Sequence, residues 1–184
     1  MSDITRKGPV IKLRLTEYEA TLLESLLDQL TGLLEGDAEP VVADDPFERW
    51  QAEFSDAEPL DRSDPVIERL FPQAYRDDPA ASAEFRRFTE TRQRQARVDQ
   101  AELVMDALRA SEGGRRAVQV RVVELDQWLK ALTALRLSLA VRLGIEKAED
   151  AEALDALDET DPRGYTYRVY EWLGYLTEGL LAHA

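Results

Sequence analysis

The stretch from Ala117 to Ile145 constrains the fold more than any other part of the chain. It opens with an alternating run, Val118-Gln119-Val120-Arg121-Val122, the pattern of a strand with one face buried. It then continues as a helix that is apolar nearly all the way round. Leu125, Leu129, Leu132, Leu135, Leu139 and Leu143 follow three- and four-residue steps, and Trp128, Ala131, Ala134, Leu137 and Val141 widen the stripe. Asp126, Gln127, Lys130, Thr133, Arg136, Ser138 and Arg142 are its few polar positions. A helix this apolar must be covered from more than one side, so it is expected at the centre of a helical domain, over about residues 124–143. Gly144 follows as a C-terminal stop.

The flanking segments supply the cover. Pro9 to Leu15 reads as a strand, and Thr16 with Glu19 forms a capping box that starts a helix running to about Leu34. Tyr18, Leu22, Leu23, Leu26, Leu27, Leu30, Leu33 and Leu34 give that helix one broad apolar face before Gly36. The strand-then-helix run Ile11–Leu34 echoes Val118–Leu143. Two readings stay open: the two strands pair as a ribbon that brings both helices together, or the echo is coincidence between generic patterns.

Asp64-Pro65 marks a helix start, followed by Val66, Ile67, Leu70 and Phe71 and closed by Pro72. A longer helix is expected from about Pro79 to Ala110, with Phe85, Phe88, Val98, Ala101, Val104, Met105 and Leu108 as core contacts. Gly113-Gly114 ends it. A short helix over Ala148–Leu157 and a last one from about Tyr165 to Ala182, after Asp161-Pro162, complete the chain. The expected fold is mainly α: a bundle around the central apolar helix, with at most a two-stranded β ribbon (about 9–15 and 117–122), in one domain spanning 1–184.

Charge then narrows the function classes. The net charge of −14 opposes non-specific attraction to nucleic acid or anionic membranes, although a local basic patch remains compatible with it. The segment from Gly36 to Asp64 is acidic and broken by Pro40, Pro46 and Pro59, so a mobile loop is expected there, anchored where Phe47, Trp50 and Phe54 share a face. The absence of cysteine excludes disulfides, zinc-thiolate sites and thiol redox chemistry. Neither a signal peptide nor a membrane-spanning run is recognisable, so a cytoplasmic protein without a membrane partner is expected.

Catalytic motifs are missing. There is no phosphate-cradling glycine loop, nucleophile elbow or paired-histidine zinc helix, and the single histidine, His183, sits beside the C-terminus. Asp44, Asp45 and Glu48, or Asp61 and Asp64, lack the spacing of a twelve-residue calcium loop and read as solvated loop. No catalytic residue, metal or cofactor is expected. Two surfaces remain as candidates. Arg86, Arg87, Arg94 and Arg97, together with Arg92, form the one locally positive stretch and the candidate phosphate or nucleic-acid contact; the competing reading is a solvated face. Tyr167, Tyr170, Trp172 and Tyr175 make the last helix rich in aromatics, with Gly174 and Gly179 permitting close approach of another helix. They are the candidate partner interface, against packing within the bundle as the plainer reading.

The order of features carries a resemblance. An Arg-Leu or Arg-Val strand leads into each Leu-rich helix, Leu135-Arg136-Leu137 precedes Val141-Arg142-Leu143-Gly144-Ile145, and Tyr167-Arg168-Val169-Tyr170-Glu171-Trp172-Leu173 lies near the end. Over nearly its whole length the chain resembles an actinobacterial domain-of-unknown-function family, DUF2017, some members of which are described as oxidation-responsive transcription regulators using a cysteine pair. The resemblance implies a regulatory or adaptor-like role and carries no catalytic residues. Because this chain has no cysteine, thiol sensing is not implied for it. The function expected is non-enzymatic regulation through a protein partner, bound by the aromatic last helix or by the acidic loop, with a second copy of the chain among the candidates. The alternative is a DNA-associated transcription regulator using the arginine-bearing helix at about 84–97.

Overall fold

Local signals set most element boundaries in the computed structural model, which describes residues 3–35, 63–75, 77–158 and 160–184. β1 (Asp3–Lys7) turns through Gly8, at φ 62°, into β2 (Val10–Arg14). The capping box then forms as expected: Glu19 N donates to Thr16 Oγ1 at 3.2 Å, and Thr16 N donates to the Glu19 carboxylate at 2.8 Å. α1 follows over Glu17–Glu35. α2 (Pro65–Leu70), α3 (Pro79–Ala110) and a later helix, α6 (Pro162–Leu181), each begin at an Asp-Pro pair. The carboxylates of Asp64, Asp78 and Asp161 accept from the amides of Val66, Ala81 and Arg163 at 2.8–2.9 Å. β3 (Val118–Arg121) passes through one 3-10 turn into α4 (Leu125–Leu143), and α5 (Ala148–Asp155) precedes α6. The expected mobile loop, with the face shared by Phe47, Trp50 and Phe54, lies outside the described residues but for its last two, Ser63 and Asp64.

β2 and β3 pair antiparallel, with Ile11 opposite Val120 and Leu13 opposite Val118. All four side chains are fully buried on one face, while Lys12, Arg14, Gln119 and Arg121 point to solvent on the other. The pairing favours the ribbon reading over coincidence; because the strands run antiparallel, α1 and α4 start from opposite ends of the sheet. The ribbon has one strand more than the sequence suggests: β1 lies on the free edge of β2, giving the order β1-β2-β3. β1 escapes a sequence reading because Ile4 is its only apolar residue. Its Arg6 and Lys7 are the kind of charge that keeps an exposed edge from recruiting other strands.

The corner between α3 and β3 is held by a small polar network. Ser111 Oγ donates to Leu108 O at 2.6 Å and accepts from Gly114 N at 3.0 Å. Gly114 has φ 88°, and a Cβ there would lie 2.9 Å from Thr16 O and 3.1 Å from Leu15 O. Only glycine fits against that backbone.

α4 packs against α1, α2, α3 and α6, and so takes the central place its all-round apolarity requires. Trp128 and Leu132 are completely buried, as are Leu173, Leu176 and Leu180 on α6 and Leu23, Leu27 and Leu34 on α1. Each such side chain contributes roughly 1.5–3 kcal/mol by leaving water. α4 ends at Gly144, φ 72°, with Ile145 N donating back to Ala140 O at 2.8 Å. No described helix is long and apolar enough to cross a membrane.

Two expected core contacts are not in the core. Phe85 and Phe88 on α3 are 41% and 74% exposed. Between Ser82 and Val98, α3 buries no residue fully. Tyr18, assigned above to the apolar face of α1, and Tyr165, on α6, are likewise exposed. Their hydroxyls meet at 2.5 Å.

Candidate interaction surfaces

The N-terminal half of α3 is anchored at its root and only partly covered along its length. At the root, the buried Ser82 hydroxyl donates to Tyr75 O at 2.7 Å and accepts from Tyr75 N at 3.0 Å, which ties α3 to the preceding connection. The Tyr75 ring stands edge-on to Phe85, with centroids 6.2 Å apart and planes at 87°. Between this connection, the end of α2 and α3 runs a groove of about 450 Å³. Leu70, Phe71, Pro72 and Phe85 give it an apolar wall, and Arg86, Glu90, Arg97 and Lys130 give it charge.

The four arginines proposed for phosphate contact do not act alike. Arg87 is exposed and Arg86 half-buried at the groove. Arg94 and Glu90 are already engaged within the molecule. Arg97 reaches across to α2, where its Nη2 donates to Leu70 O at 2.9 Å and its Cζ lies 5.2 Å from the Phe71 ring centroid. Burial pushes its pKa below the usual arginine value. Arg86 and Arg87 are therefore the members best placed to meet a ligand, with Arg92 exposed further along the same helix.

The aromatic residues of α6 divide in a similar way. Tyr167 is 7% exposed and stacks on Tyr170, with centroids 6.1 Å apart and planes 23° from parallel. Tyr170 in turn lies under the Arg136 guanidinium, whose Cζ is 4.7 Å from the ring centroid. Trp172 is half-buried against the core, and Tyr175 is 43% exposed. Tyr175 is thus the most exposed of the four. Gly179 does admit a close neighbour, but from within the chain: a Cβ there would come 2.4 Å from Ile4 Cδ1 of β1. His183 Nδ1 lies 2.8 Å from Gly179 O and so caps the end of α6. Among the described residues, no group of three or more histidines, aspartates or glutamates is placed to hold a metal ion.

Sequence periodicity missed the exposed Phe85–Phe88 stretch and the Tyr75 contact. An available signal was the company these residues keep: Arg86, Arg87, Glu90 and Arg92 leave no continuous apolar stripe through that part of α3.

No solved structure matches the chain. The chain is similar to proteins named "Oxidative stress regulator AosR" from Mycobacterium bovis and from two strains of Mycobacterium tuberculosis. It is 28% identical to each over 190 residues, an alignment that covers 96% of this chain and 83% of theirs. The family described as "Domain of unknown function (DUF2017)" matches residues 1–184, from one end of the bundle to the other, and the chain belongs to that family.

Proposed function

We propose that this protein is a non-enzymatic cytoplasmic regulator that holds a protein partner on the N-terminal half of α3. The observation that carries this reading is the exposure of Phe88 and Phe85 on a helical arm with no fully buried residue between Ser82 and Val98. Large exposed apolar side chains grouped in one place mark interaction surfaces more often than single ones do. The groove beside Phe85 offers a slot for one apolar anchor, and Arg86, Arg87 and Arg92 fit acidic groups on the partner's rim. The name carried by the mycobacterial relatives supports a regulatory role. No catalytic residue or cofactor is assigned.

A second reading keeps the same helix and changes the partner. Arg87 and Arg92 are exposed cations on one helix, which also suits DNA phosphates, against the opposition of a net charge of −14.

One experiment separates the two. The wild-type chain, a Phe85→Ser/Phe88→Ser variant and an Arg87→Glu/Arg92→Glu variant are used to capture partners from native lysate, with and without nuclease. A protein that survives nuclease and is lost with the phenylalanine variant supports the first reading. DNA recovered by the wild type and lost with the arginine variant supports the second. Capture equal across all three chains overturns both.

A further inference from the structure

A second cavity, of about 380 Å³, lies further along α4, between the end of α2, the α4–α5 turn and α6. Arg69, Arg136 and Lys147 line it, with Glu146 as the only carboxylate among its lining residues. That balance is unusual in a chain with 37 acidic residues and 23 lysines and arginines. Neither Arg69 nor Arg136 forms an ion pair with any described residue. The nearby carboxylate of Asp150 is turned away into its own helix start, where it accepts from the amides of Glu146 and Lys147 at 3.0 Å each.

Arg136 is held in place without its hydrogen-bonding capacity being used. Its guanidinium lies over the Tyr170 ring, with Cζ 4.7 Å from the centroid, and also rests against Gly174, one turn further along α6. A Cβ at Gly174 would lie 3.2 Å from Cζ, 3.3 Å from Nη2 and 3.5 Å from Nε, so glycine leaves the notch that the side chain fills. Nε is buried and has no hydrogen-bond partner among the described residues. A buried donor left unsatisfied is costly, more so when charged, so an oriented guanidinium of this kind is primed for an acceptor.

We infer that this cavity is a binding site for a small organic oxyanion. Arg136 supplies a planar donor pair, Arg69 and Lys147 supply further positive charge at the rim, and Leu137, Ala140 and Ile145 form an apolar floor for the body of the ligand. Carboxylate and phosphate monoester share the required chemistry. The site is separate from the α3 groove and stands whether or not α3 holds a partner.

The buried Arg136 Nε–H provides a direct readout, as a side-chain resonance in a proton–nitrogen correlation spectrum, assigned by its loss in Arg136→Gln. The full chain is titrated to about 10 mM with inorganic phosphate, phenyl phosphate or hexanoate at constant ionic strength, a range that detects millimolar affinity. A saturable shift of that resonance is expected with at least one probe, weakened about tenfold in an Arg69→Gln/Lys147→Gln variant. The latter two side chains are exposed, so this variant keeps the test decisive even if Arg136→Gln does not fold. Response to the phosphates alone assigns a phosphate ligand, and response to hexanoate alone assigns a carboxylate with an apolar tail. No saturable shift with any probe, or an undiminished one in the double variant, overturns the inference.

Discussion

Arg97 of α3 donates from Nη2 to the backbone carbonyl of Leu70, the last residue of α2, at 2.9 Å. The bond satisfies an acceptor at the negative end of the helix, and the contact with Phe71 fixes the guanidinium from a second direction. α2 also packs against α4, so Arg97 ties the partly covered half of α3 to the body of the bundle.

Arg97→Lys should therefore destabilise the protein although the charge is kept. An ammonium cannot reproduce both the directed bond and the planar contact, and the expected loss is about 1–2 kcal/mol. Urea unfolding followed by circular dichroism measures it. A midpoint unchanged from wild type would remove Arg97 from this role.

Gly114→Ala should cost more, about 2 kcal/mol or above. The added Cβ meets the backbone oxygens of Thr16 and Leu15, which cannot step aside without moving the start of α1, and the positive φ adds strain. A Gly144→Ala variant controls for strain alone, because a Cβ there meets nothing within 4 Å. The first substitution should lower the urea midpoint clearly more than the second.

Leu132→Ala and Leu173→Ala remove fully buried side chains from α4 and from α6, the helix packed on it. Each should cost about 2–5 kcal/mol. Phe85→Ser and Phe88→Ser, on the partly covered half of α3, should stay within about 0.5 kcal/mol. Thermal unfolding of the four variants side by side tests the assignment of core and surface. A large loss in the Phe88 variant would mean that this ring is covered in solution.

Acid should weaken the fold through its helix starts. The Arg163 side chain and amide hold the Asp161 carboxyl below its usual pKa, the amides of Glu146 and Lys147 do the same for Asp150, and Arg121 does so for Glu124. A depressed folded-state pKa means that the unfolded chain binds the proton more tightly. The stabilisation is therefore complete above the ordinary carboxylate range of about 3.9–4.3 and is lost as pH falls through the lower folded values. Urea midpoints should hold between about pH 7 and 5 and fall below about pH 4, with a shallower acid limb in Asp161→Asn.

The central helix was legible because Leu125 to Leu143 shows its periodicity within one segment. α2 and α3 began at Pro65 and Pro79 as expected, whereas α6 starts at Pro162, ahead of the expected Tyr165, because proline suits the first helical position. The pairing of β2 with β3 was visible only as an echo, since a strand pattern names no partner. β1 gave no pattern at all, because an edge strand needs only one buried contact, here Ile4 against α6 at Gly179. Phe85 and Phe88 were misplaced because apolarity predicts burial only where something arrives to do the burying, and nothing in α3 itself states where its cover stops. The cluster of Arg136, Tyr170 and Gly174 joins two helices whose contact is a property of the packed bundle, so no reading of either segment alone reaches it.

The partnership of β2 and β3 also sets a timetable. About a hundred residues of chain separate the two strands, so at a synthesis rate of about 5–20 residues per second β3 leaves the ribosome roughly 5–20 s after β2. Throughout that interval Ile11 and Leu13 have β1 on one side but lack β3 on the other. The nascent chain thus carries an unpaired strand edge beside an uncovered leucine-rich helix for many folding times of a small helical unit. Holdase chaperones that recognise apolar segments would meet this end of the protein first, well before its centre exists.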